Sequence, residues 1–209
     1  MTSLRHARST FGLMTLIVAG CHPALPPDGP GVSRLAAPGV RLVTHDRPYE
    51  VDGATAAELL QSLRRYGPPG NFGLHQVVYR RRYMLAETPT GCVAQQVSVE
   101  VVSDIILPKW IQPEVVDSQL VAQWTRFVTN LRSHEESHRT IAMRVAEDLV
   151  RKLRELQART CIGWQDAAEQ AMKDAMRDYS VRQARYDRDA RAESGDKLRW
   201  PPPKDPSPP

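Results

Sequence analysis

Nothing in the 209-residue chain approaches the roughly 20 consecutive apolar residues that a bilayer-crossing helix needs. Net charge is equally modest: +4 for the whole chain, and +2 once Arg5 and Arg8 are set aside with the N-terminal segment treated below. No basic stripe interleaved with aromatics accompanies it, which argues against a nucleic-acid binder. The short runs YRRRY (79–83) and LRRYG (63–67) read instead as exposed strand and helix faces. There is no internal repeat, and no tract rich in Cys or His of the kind used for metal storage or sensing. Cysteine is scarce, with three in all, so each one can be assigned a role.

The first of them, Cys21, follows a recognisable preamble. Arg5 and Arg8 precede an apolar run from Phe11 to Val18, which closes on the small residues of VAGC. Residues 1–20 therefore read as a secretory signal peptide. The VAGC ending resembles the lipobox of bacterial lipoproteins, which implies cleavage before Cys21 and lipidation of its thiol by chains such as palmitate. An anchor of that kind tethers a domain to a membrane without spanning it. Residues 21–40 supply Pro and Gly without periodicity and read as a flexible tether, and the Pro-rich stretch 196–209 reads as a disordered tail. The folded domain is then expected over 41–195. Cys92 and Cys161 remain, an even pair in an exported chain, and are expected to form a disulfide.

Within that domain RLVTHDRPYEV (41–51) alternates like a strand. A helix follows, with Thr55 and Glu58 spaced for a capping box and Gly67-Pro68-Pro69-Gly70 as its stop. Two further alternating runs, joined by the turn sequence TPTG, predict an antiparallel hairpin. From Asp117 to about Arg159 the apolar spacing becomes helical, and a second helix is expected from about Trp164 to Arg191. The short break TCIGW, with Gly163 as a helix stop, implies antiparallel packing of the two. The expected fold class is α+β: a small antiparallel sheet with one short helix, packed with a long antiparallel helical hairpin.

The first long helix carries HEESH, an HExxH arrangement of His134, Glu135 and His138. Both histidines fill the gap in the inward series Leu120, Trp124, Phe127, Leu131, Ile141 and Val145, so both imidazoles are expected to face the core. An inward imidazole needs a partner, because a buried polar ring without one costs a few kcal/mol. Two of them one turn apart suit two corners of a tetrahedral zinc site, with Glu135 placed as general base toward a water that zinc activates. Chance matches are expected at about 0.01 per chain of this composition. The competing reading is a hydrogen-bonded pair of core histidines with Glu135 as a surface charge.

A third ligand has to come from elsewhere. With the turn between the helices centred near Ile162, the positions level with His138 and His134 fall in ARYDRDARAE. Asp187 is the first candidate for the third ligand, with Asp189 and Glu193 also open. Tyr186 either points its hydroxyl at a developing oxyanion or packs as an interface residue. Ala167, Ala168, Ala171 and Ala175 would let the helices approach closely.

The ordered series YEVDGATAAELLQSLRRYGP, a strand pair with GC, LPKW, HEESH, a Cys and then YD resembles a bacterial family of predicted secreted zinc-dependent peptidases, catalogued as a domain of unknown function. The resemblance spans about residues 45–190. It implies an exported metalloprotease-like α+β domain with His134 and His138 as ligands and Glu135 as catalytic base. One departure is visible: where members carry T-x-H-G after the tyrosine-aspartate pair, this chain has Ala192 in place of the histidine. The expectation is thus a membrane-anchored, periplasm-facing zinc peptidase acting on a peptide or protein of the cell envelope, with no nucleic-acid partner. Its rival is a non-catalytic envelope lipoprotein that keeps the fold as a binding or scaffold module.

Overall fold

The computed structural model describes residues 39–194 and 198–202. The signal segment, Cys21, the tether up to residue 38 and the last residues from 203 lie outside the described residues. The chain forms β1 (Gly39–Val51), α1 (Ala56–Tyr66), β2 (Leu74–Thr88), β3 (Gly91–Trp110), α2 (Ser118–Glu155), β4 (Gln157–Ala158) and α3 (Cys161–Ser194). This is the α+β class expected, with a four-stranded sheet of order β1-β3-β2 in which β4 also pairs β3.

Local chemistry accounts for most boundaries. Thr55 Oγ1 accepts from the Glu58 backbone N–H at 3.2 Å, and the Glu58 carboxylate accepts from Thr55 N–H at 3.1 Å, the reciprocal capping box that starts α1. Gly67 ends it, and a side chain there would collide with the Tyr49 hydroxyl at 2.8 Å. β2 and β3 form the expected antiparallel hairpin, with Thr88 paired to Gly91 across the turn. β1, by contrast, runs parallel to β3, from Gly39 beside Ser98 to Val51 beside Trp110. Chain reversals at α1 and at the hairpin leave β1 and β3 pointing the same way on a sheet that is mixed rather than wholly antiparallel.

The inner face of β3 carries Val97, Val99, Val101, Ser103, Ile105 and Leu107, all buried, and α2 lies across it. With 38 residues α2 is about 57 Å long at 1.5 Å per residue, enough to serve two hydrophobic cores. One is built with α1 around Leu59, Trp124, Phe127 and Leu131. The other is built with α3 around Val99, Val145, Leu149, Leu153 and Trp164.

The break between the long helices differs from the sequence expectation. α2 ends at Glu155, and Gln157–Ala158 add a short strand to β3, which satisfies backbone groups that a plain loop would leave to water. α3 then starts at Cys161, with Thr160 Oγ1 accepting from the Gly163 N–H at 3.1 Å. Gly163 is a first-turn residue and not a stop. The helices are antiparallel as expected: Lys152 meets Asp174, and Asp148 meets Arg182. Ala168 and Ala171 are buried and Ala175 packs against the same core. Cys92 and Cys161 are disulfide-bonded, Cα to Cα 5.0 Å, tying β3 to the start of α3.

The Pro-rich tail also needs correction. Trp200 is buried, packs on Trp124 and Phe127, and donates its indole N–H to the Ala56 carbonyl at 3.0 Å. The indole supplies more burial than the neighbouring prolines can oppose, so residues 198–202 belong to the α1 core.

Candidate metal centre

Between the two cores α2 passes through a short polar layer. Leu131 closes one core and Ala142 opens the other, and the buried polar residues of this level are His75, Ser103, Glu135 and His138. Polar groups buried at that depth must satisfy one another or a ligand.

His134 and His138, one turn apart on α2, and Asp187 on α3 converge on a single point. His134 Nε2 lies 3.1 Å from His138 Nε2, and Asp187 Oδ1 lies 3.2 Å from the first and 3.0 Å from the second. A ring nitrogen has one in-plane lone pair or one N–H, so it can aim at one partner and not at two. A closed triangle of two imidazole nitrogens and a carboxylate oxygen is therefore poorly served by hydrogen bonds. It matches one face of a tetrahedron whose ligand atoms, about 2.0–2.1 Å from a central zinc, stand about 3.3 Å apart. Among the described residues these three form a donor set able to hold a metal ion. The donor chemistry, two neutral imidazoles and a carboxylate, fits zinc.

Burial holds both imidazoles below their ordinary pKa, with the Asp187 carboxylate opposing and Arg191 adding repulsion at His134. They are thus poised as neutral ligands at neutral pH. His138 is buried and His134 half-buried, because its ring faces α3 at the rim of the cleft. Tyr186 stacks on His134 with centroids 5.0 Å apart and meets the edge of His138 at 5.1 Å. It packs the site wall. Among the described residues Nδ1 of His138 has no hydrogen-bond partner, although a ligating histidine usually donates from its second nitrogen.

Glu135 is buried, with 4 % exposure, and is not the surface charge of the competing reading. Burial, reinforced by Asp187, raises its pKa to about 7, against the pull of a hydrogen bond from the His75 backbone N–H. Gly73 makes room for it: a Cβ there would stand 2.8 Å from Glu135 Oε1 and 2.9 Å from Leu131. A cavity of about 350 Å³ opens onto Glu135, His134, His138 and Asp187.

The other sequence candidates fall outside. Asp189 is turned to Arg185 at 3.7 Å and is exposed. The side chain of Glu193 lies outside the described residues. Ala192 is exposed on α3 and offers no ligand.

Sequence reasoning missed His75, Tyr179 and Arg191. His75 Nδ1 meets the Tyr179 hydroxyl at 2.9 Å, and Nε2 meets Ser103 Oγ at 2.8 Å. Burial, with His138 and Arg139 adding repulsion, lowers its pKa to about 4, so the ring is neutral, donating from one nitrogen and accepting at the other. Its signal was present: His75 shares strand parity with Val77 and Tyr79 on the inward face. Arg191 lines the cavity, one turn beyond Asp187.

Fold and site together define an α+β domain with a partly buried His-His-Asp cluster on a helical hairpin. The chain belongs to the family described as bacterial protein of unknown function (DUF922), which matches residues 46–195. No curated protein and no solved structure matches the chain. Among the described residues no helix is long and apolar enough to cross a membrane.

Proposed function

We propose that this protein is a zinc-dependent peptidase, lipid-anchored through Cys21 and facing the periplasm, that hydrolyses peptide bonds in the cell envelope. The observation that carries the reading is the convergence of His134, His138 and Asp187 beside a buried carboxylate of near-neutral pKa. When bound, zinc would supply Lewis-acid polarisation of a substrate carbonyl and acidify a water molecule.

The chain's own residues would do the rest. His134, His138 and Asp187 would hold the ion at the cavity wall. Glu135 would take the proton of the attacking water at its carboxylate and return it to the departing amine. The His75 N–H fixes that carboxylate, and Gly73 leaves it unobstructed. Arg191 places positive charge at the cavity, where an oxyanion or a substrate carboxylate can be met. Tyr186, stacked on His134, holds the imidazole plane.

Glu135→Gln tests the chemistry. It should keep zinc and lose peptide hydrolysis by about 10²–10⁴-fold, the usual worth of a general base. Equal turnover in wild type and variant, on a peptide that the wild type cleaves, contradicts the assignment. The anchor is tested separately: Cys21→Ser should abolish incorporation of labelled palmitate and release the protein from the membrane fraction, and unchanged labelling rules out Cys21 as the lipid site.

One observation favours the rival reading, a non-catalytic envelope module. Among the described residues His138 Nδ1 lacks the supporting acceptor that usually fixes a ligating ring. In that case metal binding would be weak and Glu135→Gln without consequence.

A further inference from the structure

A second, larger cavity adjoins the metal centre. Its volume is about 1140 Å³, above the roughly 300–1,000 Å³ typical of small-molecule pockets. It shares His75 and Gln183 with the cavity over Glu135, so the two adjoin at that end. One wall is β2, and the residues that line it there are consecutive, from His75 to Tyr79. Alternate residues of a strand point to opposite faces. A cavity touched by both parities therefore runs along the edge of the strand, where the backbone is, and not over one face.

That edge is open. Among the described residues β2 pairs with β3 on one side only. On an antiparallel strand every second residue directs both its N–H and its C=O to the same side, so half of β2's backbone groups face the groove. The opposite wall is α3, which presents Met172, Met176, Tyr179 and Gln183 at one-turn spacing. Val78 and Met176, on the two rims, are exposed apolar side chains. An unpaired strand edge beside an apolar helix wall is a template for an added strand.

Charge is uneven along the groove. Arg81 is bound to Glu169 at 2.6 Å, yet its Nε is buried without a hydrogen-bond partner among the described residues. Arg82, also lining the groove, has no ion pair among the described residues. Both stand six to seven residues along β2 from His75, about 20–23 Å at 3.3 Å per residue.

We infer that the groove between the free edge of β2 and α3 binds an extended peptide as an additional strand, apolar where it faces Met172 and Met176 and acidic six to seven residues from the end at His75. This deepens the peptidase reading by naming its substrate class. The polymer lies on β2 with its reacting end over Glu135 and its acidic side chain at Arg82. The preference is set by backbone pairing and by charge remote from the chemistry.

Hydrogen exchange on the full chain tests this without relying on turnover. The probes are acetylated peptides of about ten residues built from Val, Thr and Ser, with a single Glu placed at successive positions, added to the Glu135→Gln protein so that they persist. Alternate amides of Leu74–Tyr83 should slow on binding, most strongly for peptides with Glu six or seven residues from the His75 end. Arg82→Glu, an exposed change that leaves the sheet intact, should weaken those peptides about fivefold and favour their Lys counterparts. Protection of β2 without cleavage by the wild type would sustain the groove and remove the peptidase reading. Cleavage without protection of β2 would do the reverse. Absence of protection with every peptide at millimolar concentration overturns the inference.

Discussion

His75 shows how a buried polar side chain can be held neutral by its surroundings alone. Hydroxyls of Tyr179 and Ser103 occupy both ring nitrogens, and burial brings its pKa down to about 4 from 6.5. Between those two values the unfolded chain binds the proton and the folded chain does not. The stability contributed by the neutral ring is thus complete above pH 6.5 and is lost as pH falls toward 4. The loss has an upper bound of about 3 kcal/mol at 1.36 kcal/mol per pKa unit. Urea titrations of the metal-free chain at pH 7.5 and 4.5 should show a smaller pH penalty for His75→Gln than for wild type, and equal penalties would remove this role. At this scale His134, His138, Glu135 and Asp187 were legible in the sequence, since HExxH spacing and helix level both point to them. His75 was not singled out, because a lone histidine at a strand start carries no motif. Its importance comes from partners 28 and 104 residues away.

The elements follow from local pattern wherever local pattern is strong. Thr55 and Glu58 start α1, and alternation places Val97, Val99 and Val101 inward on β3, both readable in advance. The inward stripe of α2 was legible in outline, but the fully buried positions rotate to Glu135 and Ala142 beside His138 and Val145. α3 packs on one flank and leaves His134 and Ile141 half-buried. Gly163 misled because a glycine near a break reads as a stop, whereas the real break is stabilised by β4 pairing with β3 and by the Cys92–Cys161 bond. That bond closes a loop with a sequence separation of 69, worth roughly 4 kcal/mol on the chain-entropy argument. Reduction should lower the urea midpoint accordingly while α2 and α3 remain helical by circular dichroism. An unchanged midpoint would mean that the hairpin is held by packing alone.

The described domain places a polar stratum between two hydrophobic cores on a single sheet and a single long helix. The α1 core is sealed from the far end of the chain by Trp200, and the α3 core by the disulfide. Sequence composition hid the first of these seals, since the run of prolines that follows Trp200 reads as a tail. The parallel placement of β1 was hidden as well, because strand direction depends on which neighbour a strand finds and not on its own alternation. What the arrangement achieves is a cleft whose imidazoles and carboxylate serve one another poorly as hydrogen-bond partners, and that is the basis for proposing a cation. The direct check is metal content together with X-ray absorption on full-length protein purified without chelator. The account predicts about one zinc per chain, with two imidazole nitrogens and a carboxylate oxygen among its ligands, and loss of the ion in His138→Ala. A wild-type chain that stays metal-free when offered zinc, or zinc retained undiminished in His138→Ala, would contradict it.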